Sequence, residues 1–576
     1  MSELIIGIDL GTTNSAVAHI HQGQPVIIPV DGEPTMPSCV GLSPDGTLLT
    51  GREARNQYTV YPERTILSVK RQMGGTAPLS IGGQSFRPEE VSALILKKLK
   101  AAAEAHLQQA VSKAVITVPA YFDEAQRKAT RNAGEIAGLE VVNILNEPTA
   151  AALAYGSLSE NEGTTLVYDL GGGTFDASLV QNEQGVIEVK SSHGDTQLGG
   201  DDFDRVLVRE ACEVFAAEHD LDLDDDPIAM SRLKIGMEAA KIRLSTEPFT
   251  QVEEAFLHDG KSLRAEFARS RYEDEIRPLL EKTIGCCAQC LNDANLRASQ
   301  LDRILLVGGS SRTPLVFELL KRHFELEASH ELDPDLVVAY GAALQAASIA
   351  GIETTRILLD ITPHNLGIAV KGAYDHLVFS PLITRNTPLP ASHSNVYFTY
   401  TDEQEACKLE IYQGAYETLE QNERIGDFTV TGLGKFPANN KIIVHFQLNL
   451  NGMLEVTATE KRTGLNKTVE FDTEGDDADL DITATSERLQ TLAGDEPNKE
   501  PADDPAEATT ATAPTPTDAL KQRAEKLLAQ DGLDADDRDE INACLGKIEA
   551  ALDNDDSEAL EAATSALEDI LFFLDA

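Results

Sequence analysis

The chain contains two distant phrases of nearly the same construction, Ile-Gly-Ile-Asp-Leu-Gly-Thr-Thr-Asn at 6–14 and Val-Tyr-Asp-Leu-Gly-Gly-Gly-Thr-Phe-Asp at 167–176. In each, an apolar run ends in an aspartate and is followed by a turn rich in glycine and threonine. A buried strand would carry the acid to its tip, and the backbone N–H groups of such a turn can face phosphate oxygens. A single copy would also fit an ordinary hairpin. Two copies predict a duplicated fold whose halves hold one nucleotide, ATP, from opposite sides.

The length of 576 residues is too great for one hydrophobic core and predicts three or four domains. With 42% apolar and 25% charged residues, the composition is typical of a soluble globular protein. No apolar run approaches the roughly 18–20 residues that span a bilayer, and Met1-Ser2-Glu3 lacks the basic region of a secretion signal. We therefore expect a cytoplasmic protein.

The chain contains seven cysteines, an odd number, and they are scattered along its length. This pattern is typical of free thiols in a reducing compartment. Cys286, Cys287 and Cys290 lie close together, which raises a zinc site as an alternative. They lack a matching second cluster and fall within a helical pattern, so packed thiols are the favoured interpretation.

The formal net charge of −47 argues against nucleic acid and against an anionic membrane surface as partners. About half of this excess lies beyond Phe471, so the charge is concentrated in a tail. A solvated acidic tail is the favoured interpretation, and repulsion of acidic polypeptides is the alternative.

From residue 4 to about 350, short apolar runs alternate with amphipathic stretches, which indicates an α/β fold. The predicted strands include Leu4–Ile8, Ala114–Val118, Thr165–Tyr168 and Ile304–Val307. The predicted helices include Pro88–Leu107, Asp123–Ala137, Asp202–Glu218, Met230–Ser245 and Arg271–Asn292. The strand at 304–307 runs into Gly-Gly-Ser-Ser-Arg, a third turn suited to phosphate.

After a short apolar segment at 357–360, the pattern from Ile361 to Phe471 changes to short alternating strands. Asn-Gly at 451–452 predicts a hairpin there, and the whole region predicts a compact all-β domain. Residues 494–517 are rich in Pro, Ala, Thr, Asp and Glu and are predicted to be a disordered linker. Apolar residues at helical spacing predict a small helical bundle at 518–576.

These phrases together resemble the heat-shock 70 kDa (DnaK-type) chaperones, over about residues 4–471. Further phrases carry the resemblance: Val-Pro-Ala-Tyr-Phe at 118–122, Asn-Glu-Pro-Thr-Ala-Ala-Ala at 146–152 and Asp-Ile-Thr-Pro at 360–363. The size is similar to that of the shorter, specialised bacterial members of the HscC type. The resemblance implies an actin-like ATPase of duplicated ribonuclease-H-like lobes, an all-β sandwich that binds substrate, and a small C-terminal helical bundle.

The implied domains follow from these boundaries. They are the nucleotide-binding ATPase domain at 1–353, a hydrophobic interdomain linker at 354–360, a β-sandwich peptide-binding domain at 361–484, a short helix with the acidic linker at 485–517, and a reduced lid at 518–576.

The resemblance also assigns the nucleotide site. Asp9 and Asp169 would hold magnesium, largely through its waters, since this ion dehydrates reluctantly. Lys70 would stabilise the charge that develops during attack on the γ-phosphate, and Glu147 and Asp176 would orient the water. Lys70 by itself would pass for a surface lysine. Thr174 completes the catalytic set, and the nucleotide contacts are Gly11, Thr12, Thr13, Asn14, Gly171, Gly172, Gly173, Glu238, Lys241, Ser245, Gly308, Gly309, Ser310, Arg312 and Asp335.

The resemblance assigns two further groups of residues. An extended apolar peptide would contact Leu366, Ile368, Tyr397, Tyr400, Cys407, Leu409 and Ile411, although alternating apolar residues in a small β domain are core by default. Coupling between nucleotide and peptide would involve Asn146, Pro119, Pro148, Ile357, Leu358, Leu359 and Asp360.

The chain departs from the family pattern at four places. The segment between Met73 and Pro88 is short, which is expected to alter nucleotide release and exchange-factor docking. Cys407 and Tyr400 replace a branched aliphatic and a small residue in the peptide site. Asn143 stands where an arginine is usual, and Arg356 replaces an aliphatic in the linker. Only about 485–493 resembles the start of the lid helix, so fast client release is expected.

The sequence therefore predicts an ATP-dependent chaperone that binds ATP or ADP with magnesium, potassium being a further candidate ion. Client polypeptides and a J-domain co-chaperone are the expected partners, and the need for a GrpE-type exchange factor stays open. Two alternatives share the duplicated phosphate turns: a small-molecule kinase and a non-catalytic actin-like interaction protein.

Overall fold

The computed structural model describes residues 4–158, 162–330, 332–352, 356–372, 376–450, 452–471, 481–493, 538 and 545–548. Met1–Asn498 forms one compact unit and Lys499–Ala576 another. The linker predicted at 494–517 and nearly all of the bundle predicted at 518–576 lie outside the described residues. None of the helices in the described part of the chain combines the length and apolar character needed to cross a membrane.

Lobe I, residues 4–158, is built on a sheet of order β11-β10-β1-β2-β3, with β4 paired to β2. Its elements are β1 Ile5–Asp9, β2 Asn14–His21, β3 Gln24–Ile28, β4 Met36–Pro37, β5 Cys39–Leu42, β6 Leu48–Thr50, α1 Arg52–Tyr58, β7 Thr65–Leu67, β8 Leu79–Ile81, β9 Gln84–Phe86, α2 Pro88–Leu107, β10 Lys113–Val118, α3 Glu124–Ile136, β11 Glu140–Asn146 and α4 Glu147–Leu158.

Lobe II, residues 162–359, is built on a sheet of order β18-β17-β12-β13-β14-β19. Its elements are β12 Gly163–Leu170, β13 Phe175–Glu183, β14 Val186–Asp195, α5 Gly200–His219, α6 Pro227–Leu244, β15 Phe249–His258, β16 Lys261–Ala268, α7 Arg269–Asp293, β17 Arg303–Val307, α8 Pro314–Phe324, β18 Ala328–Ser329, α9 Val337–Ile349 and β19 Ile357–Leu359.

The two lobes repeat one topology. In lobe I, β1, β2 and β3 form an antiparallel meander and β10 lies parallel to β1. In lobe II, β12, β13 and β14 form the same meander and β17 lies parallel to β12. The duplication predicted from the two phrases is confirmed, because each phrase occupies the first strand and first turn of its meander.

The lobes share one core where α9 passes between them. A Cβ atom on Gly341 would overlap the backbone of Ala150 in α4, and one on Gly7 would overlap the backbone of Ala343 in α9. Ile5 and Val115 of lobe I are buried in the same cluster as Val167 and Val180 of lobe II. Because Gly7 and Gly341 have no side chains, the backbones cross closely at both positions, and this tight packing holds the lobes together.

Helix boundaries agree with prediction where the capping signal is local. The predicted helix Pro88–Leu107 is found with those bounds. The helix predicted from Met230 begins at Pro227 instead, because Asp226 caps it by accepting from the N–H groups of Ile228 and Ala229. Asp-Pro is a usual helix start, and it outweighs the first apolar residue of the pattern.

Residues 361–471 form a sandwich of two antiparallel sheets, of order β21-β20-β23-β24 and β22-β25-β26-β27. The strands are β20 Asn365–Lys371, β21 Leu377–Ile383, β22 Ala391–Phe398, β23 Ala406–Gly414, β24 Glu423–Thr431, β25 Lys441–Leu448, β26 Leu454–Glu460 and β27 Asn466–Phe471. The hairpin predicted at Asn-Gly is confirmed by the pairing of β25 with β26, in which Leu448 lies opposite Leu454.

A further helix, α10 Ile482–Ala493, packs on α2 and α3 of lobe I. It begins before the 485 expected from the resemblance. Leu489 is buried in the lobe I core, Ser486 Oγ donates to the carbonyl of Ile136 at 3.1 Å, and Arg488 pairs with Glu90 at 2.5 Å.

Candidate nucleotide and coupling site

The two glycine–threonine turns meet face to face. A Cβ atom on Gly172 would overlap Oγ1 of Thr13, and one on Gly173 would overlap the side chain of Thr12. The third turn lies beside them, because a Cβ atom on Gly308, whose φ is +77°, would overlap the carbonyl of Leu170. Glycine is required at these positions for close approach of backbones.

These turns line a cleft of about 710 Å³ between the lobes, a volume suited to a nucleotide. The predicted residues that line it are Asp9, Gly11, Thr12, Thr13, Asn14, Lys70, Glu147, Asp169, Gly171, Gly172, Thr174, Glu238, Lys241, Ser245, Gly308, Gly309, Ser310, Arg312 and Asp335. Gly173 and Asp176 are not among the lining residues, although both adjoin them. The structure thus brings together residues that are spread over more than half of the sequence.

Four carboxylates and one lysine lie at the base of the cleft: Asp9, Glu147, Asp169, Asp176 and Lys70. Asp169 and Asp176 are cross-strand partners on β12 and β13. Thr117 Oγ1 donates to Asp9 at 3.2 Å, and the N–H of Tyr121 donates to Asp176 at 3.1 Å.

Burial raises the pKa of the three aspartates at the base of the cleft. It raises the pKa of Asp9 to about 7, with the charge of Glu147 adding to the effect. The pKa of Asp176 is raised to about 7 by burial and then Glu147, and that of Asp169 is raised well above its usual range by burial and then Glu147. One lysine does not balance four buried acids, so the site suits a divalent cation with oxygen ligands. Magnesium fits this donor set.

Lys70 is buried rather than exposed, which its surroundings in the sequence do not indicate. It lies in a short 3₁₀ turn at 69–72, after Ser68 in the left-handed conformation. Its ammonium pairs with the carboxylate of Glu147, and the two residues are only 4% and 8% exposed. The ring of Phe122 lies 5.9 Å from the ammonium. Tertiary packing therefore places this cation in the cleft that the glycine–threonine turns also line.

The α6 side of the cleft contains two partners that sequence reasoning missed. Arg55 Nη2 of lobe I donates to Glu238 Oε2 of lobe II at 2.5 Å, and Glu238 itself lines the cleft. Lys241 pairs with Asp204 of α5 at 2.9 Å. No local motif signals Arg55, because Glu238 is 183 positions away. Ile242, Phe317 and His330 also line the cleft and were not predicted.

The third turn carries a further ion-pair group. Arg312 donates to Asp333 at 3.0 Å and to Asp335 at 2.9 Å, and all three side chains are about half exposed. The predicted pair of Arg312 and Asp335 is therefore in contact at the cleft wall.

The predicted coupling residues connect the cleft to the linker. Asn146, next to Glu147, donates from Nδ2 to Asp360 Oδ2 at 3.0 Å and accepts from Arg127 Nη2 at 2.6 Å. Burial raises the pKa of Asp360, which also accepts from the N–H of Ile361 at 2.8 Å. Pro119 accepts from the N–H of Phe122 through its carbonyl, and Pro148 lies in the first turn of α4.

The linker itself is the edge strand of the lobe II sheet. Ile357, Leu358 and Leu359 of β19 pair in parallel with β14, and the N–H of Ile357 donates to the carbonyl of Gly185 at 2.9 Å. Leu358 packs against the core shared by the lobes, whereas Ile357 is 63% exposed.

The sandwich packs against both lobes near the linker. The N–H of Glu124 donates to Gln413 Oε1 at 3.3 Å, and Arg385 pairs with Asp293 at 2.8 Å. A small cavity between lobe I and the sandwich is lined by residues of both, Leu366 among them. Leu366 therefore belongs both to the sandwich core and to the cavity wall that faces lobe I.

The residues predicted to touch peptide fall into two groups, one in or beside the sandwich core and one exposed to solvent. Leu366, Ile368, Leu409 and Ile411 are buried in the sandwich core, with Tyr397 and Cys407 at its margin. Tyr400 is 65% exposed, and Lys371 Nζ lies 3.6 Å from the centre of its ring.

A family model described as Hsp70 protein matches residues 5–79 and 75–573, nearly the whole chain. The match covers both phosphate turns, the cleft, the linker and the sandwich. Members of this family bind ATP with magnesium and act as chaperones. Duplicated lobes around a nucleotide-sized cleft, followed by a β-sandwich, agree with that match, and the chain belongs to the Hsp70 family.

Proposed function

We propose that this chain hydrolyses ATP slowly and couples the nucleotide state to binding and release of extended apolar polypeptide segments. The observation that carries the proposal is the position of Asn146. It adjoins Glu147, which pairs with Lys70 in the cleft, and its own side chain bonds to Asp360 of the linker. Asn146 is thus the single residue between the phosphate site and the linker that carries the sandwich, so a change at one can be transmitted to the other.

Within this proposal, the N–H and hydroxyl groups of Thr12, Thr13 and Thr174 bind the β- and γ-phosphates. Glu147 and Asp176 orient the attacking water, and the raised pKa of Asp176 suits this carboxyl to accept the proton of the water. Lys70 stabilises the negative charge that develops on the phosphoryl oxygens. Magnesium, when bound near Asp9 and Asp169, would neutralise part of the phosphate charge.

The adenosine would lie between α6 and the third turn. Glu238, Lys241 and Ser245 face the cleft from one side of α6, and Arg312 faces it from the opposite wall. The ion pair of Arg55 with Glu238 would then close the cleft over the bound nucleotide and slow its release.

The sandwich would bind the client. An extended peptide gains main-chain hydrogen bonds, and an apolar pocket near Tyr397, Tyr400 and Cys407 would select the side chain. The site would respond to docking, because Leu366 lies both in the sandwich core and against lobe I. ATP would lower client affinity, and by reciprocity clients would change nucleotide handling.

The partners are proposed on the same basis. A J-domain co-chaperone would act near Asn143, Asn146 and Asp360, with Asn143 in place of the usual arginine indicating a dedicated partner. A cytoplasmic location, a GrpE-type exchange factor and an HscC-like specialisation are further proposals that await their own tests.

The test is steady-state ATP hydrolysis by the full chain, with and without a panel of unstructured apolar peptides. We expect slow phosphate release without any acceptor, stimulation by apolar peptides, and loss of turnover in Lys70→Ala. Phosphate release that required a small-molecule acceptor would indicate a kinase instead. Nucleotide binding with no turnover would indicate a non-catalytic protein.

A further inference from the structure

The turn that contains Lys70 belongs to lobe I, but lobe II binds it on each side of this lysine. Ser68 Oγ donates to Asp201 Oδ2 at 2.7 Å, and Arg71 Nη2 donates to Asp202 Oδ2 at 3.1 Å. Both aspartates lie in the first turn of α5 in lobe II. The position of Lys70 therefore depends on the opposite lobe as well as on its own.

Gln197, just before α5, strengthens this contact in both directions. Arg71 Nη2 donates to the carbonyl of Gln197, and Gln197 Nε2 donates to the carbonyl of Arg71 at 3.1 Å. The side chains of Arg71 and Asp202 are only 13% and 12% exposed, so their charge-assisted hydrogen bond is largely shielded from water. We call the contacts of Ser68 and Arg71 with Gln197, Asp201 and Asp202 the Arg71 network.

The backbone of Ser68 shows that the turn is held in an unusual shape. Ser68 lies in the left-handed region, at φ +54° and ψ +35°, immediately before the 3₁₀ turn at 69–72. This conformation is unfavourable for a residue other than glycine and persists only where surrounding contacts support it. The hydrogen bond from Ser68 to Asp201 supplies such support, and it comes from lobe II.

The Arg71 network also touches the second glycine–threonine turn. A Cβ atom on Gly173 would overlap Cγ and Cδ of Arg71, both 2.9 Å away. The N–H of Asp201 donates to the carbonyl of Gly172 at 2.7 Å. The start of α5 thus joins the phosphate turn of lobe II to the turn of lobe I that contains Lys70.

The ion pair with Glu147 fixes only the tip of the Lys70 side chain. A lysine ammonium stands on a flexible four-carbon stem, so a partner at its tip leaves the direction of the stem free. The Arg71 network holds the other end, because it binds the residues on both sides of the Lys70 backbone. Opening of the cleft would separate the two lobes and break this second attachment.

We propose that Arg71 is a positioning residue: by binding Asp202 and Gln197 of lobe II, it holds the adjacent Lys70 beside the phosphate turns while the lobes are closed. Arg71 is not among the described residues that line the cleft, so it acts through Lys70. The proposal deepens the proposed function and rests on it, in that Lys70 is taken to act on the phosphoryl group.

The first measurement is the rate at which a water-soluble amine-acylating reagent modifies Lys70 in the nucleotide-free full chain, read by mass spectrometry. Lys70 is 4% exposed and should react slowly in the parent protein. Arg71→Gln should raise the rate about fivefold or more, because the turn is released from lobe II and opens more often. Lys98, partly exposed and paired with Asp31, is the internal reference and should react equally in both proteins.

The second measurement is ATP hydrolysis, which separates positioning from a general effect on structure. Arg71→Gln should lower kcat about tenfold or more, as expected when a catalytic group is displaced. KM should change by less than about twofold, because the lost contact acts in the transition state. Arg71→Lys should recover part of kcat, since its ammonium can still pair with Asp202. Arg205→Gln is the matched control and should change neither constant, because Arg205 binds the same aspartate from an exposed position within α5.

A double variant tests whether Arg71 acts through Lys70. In the Lys70→Ala background, single-turnover hydrolysis should fall by less than about twofold on adding Arg71→Gln, because the residue to be positioned is already absent. An Arg71→Gln effect of the same size with and without the Lys70 side chain would overturn the proposal. A Lys70 acylation rate within about twofold of the parent would overturn it as well.

Two provisions keep these outcomes readable. If Arg71→Gln does not fold, Asp202→Asn replaces it, because the asparagine oxygen can still accept from the N–H of Gly199 at the start of α5. The acylation measurement requires no turnover. A parent protein that releases no phosphate would therefore refute the proposed function, whereas unchanged acylation of Lys70 would refute the positioning role of Arg71.

Discussion

Lys70 and Glu147 form an ion pair at the base of the cleft although 77 positions separate them, and both side chains are almost completely buried. Lys70→Ala should lower ATP turnover by about 100-fold, the usual cost of removing a donor to a developing oxyanion. Phosphate release measures the effect. Lys98→Ala is the control and should leave turnover unchanged, because Lys98 is partly exposed and pairs with Asp31 outside the cleft. Turnover within twofold of the wild type in Lys70→Ala would contradict the assignment.

Loss of Lys70 should also destabilise lobe I, because it leaves the Glu147 charge buried without its partner; breaking such a pair costs about 3–5 kcal/mol. A urea titration of nucleotide-free protein measures this cost. Folded protein without turnover would show that chemistry, rather than unfolding, explains the loss.

Arg55 of lobe I and Glu238 of lobe II form an ion pair between the lobes, with side chains 27% and 18% exposed. Arg55→Ala should speed ADP release by about fivefold, since a partly buried ion pair contributes about 1 kcal/mol. Stopped-flow displacement of a fluorescent nucleotide measures the rate. Arg52→Ala removes a solvent-exposed pair with Glu33 from the same helix and should change the rate by less than about twofold. Equal effects of the two variants would argue against a role of the Arg55–Glu238 ion pair in retaining the nucleotide.

Removal of magnesium should weaken ATP binding by about tenfold or more, because the phosphates would then face Asp9 and Asp169 without a neutralising cation. Calorimetry in magnesium and in EDTA gives the ratio. Asp169→Asn should reduce that ratio, whereas Asp31→Asn, at an exposed site, should not. An unchanged ratio in Asp169→Asn would remove this residue from the metal site.

Leu358 anchors the linker by packing on the core between the lobes, whereas its neighbour Ile357 points outward. Leu358→Asp should release β19 and abolish peptide stimulation of ATP hydrolysis. Ile357→Asp, a matched charge on the exposed face, should have a smaller effect. Hydrogen exchange of the linker amides provides a second readout, and protected amides in Leu358→Asp would refute the packing argument.

Gly341 lies at the crossing of α4 and α9, where a Cβ atom would overlap the backbone of Ala150. Gly341→Ala should lower the free energy of unfolding by about 2 kcal/mol or more, as expected of overpacking against backbone. Gly285→Ala is the control, because this exposed helical glycine has open space around it, and it should stabilise by up to about 1 kcal/mol. Urea denaturation measures both, and similar signs would contradict the crossing.

Local signals fixed much of the fold in advance. The Asp-Leu-Gly turns marked the ends of β1 and β12, and Pro88 with the apolar pattern that follows marked α2 over its whole length. The hairpin of β25 and β26 followed from Asn-Gly. Each of these features depends on residues within one turn or one strand, so the order of side chains along the chain contains the information.

The functional site depends on both the local sequence and the tertiary structure. The sequence by itself identified the two glycine–threonine turns that line the cleft, because the duplicated turns repeat one local chemistry. Only the tertiary structure decided that Lys70 is buried, that Arg55 of lobe I pairs with Glu238 of lobe II, and that the ring of His364 packs edge-on against Tyr121. Their partners lie 77, 183 and 243 positions away. No periodicity extends over such distances. Packing of the lobes and the sandwich brings these residues together and removes them from water, and burial then lowers the pKa of His364.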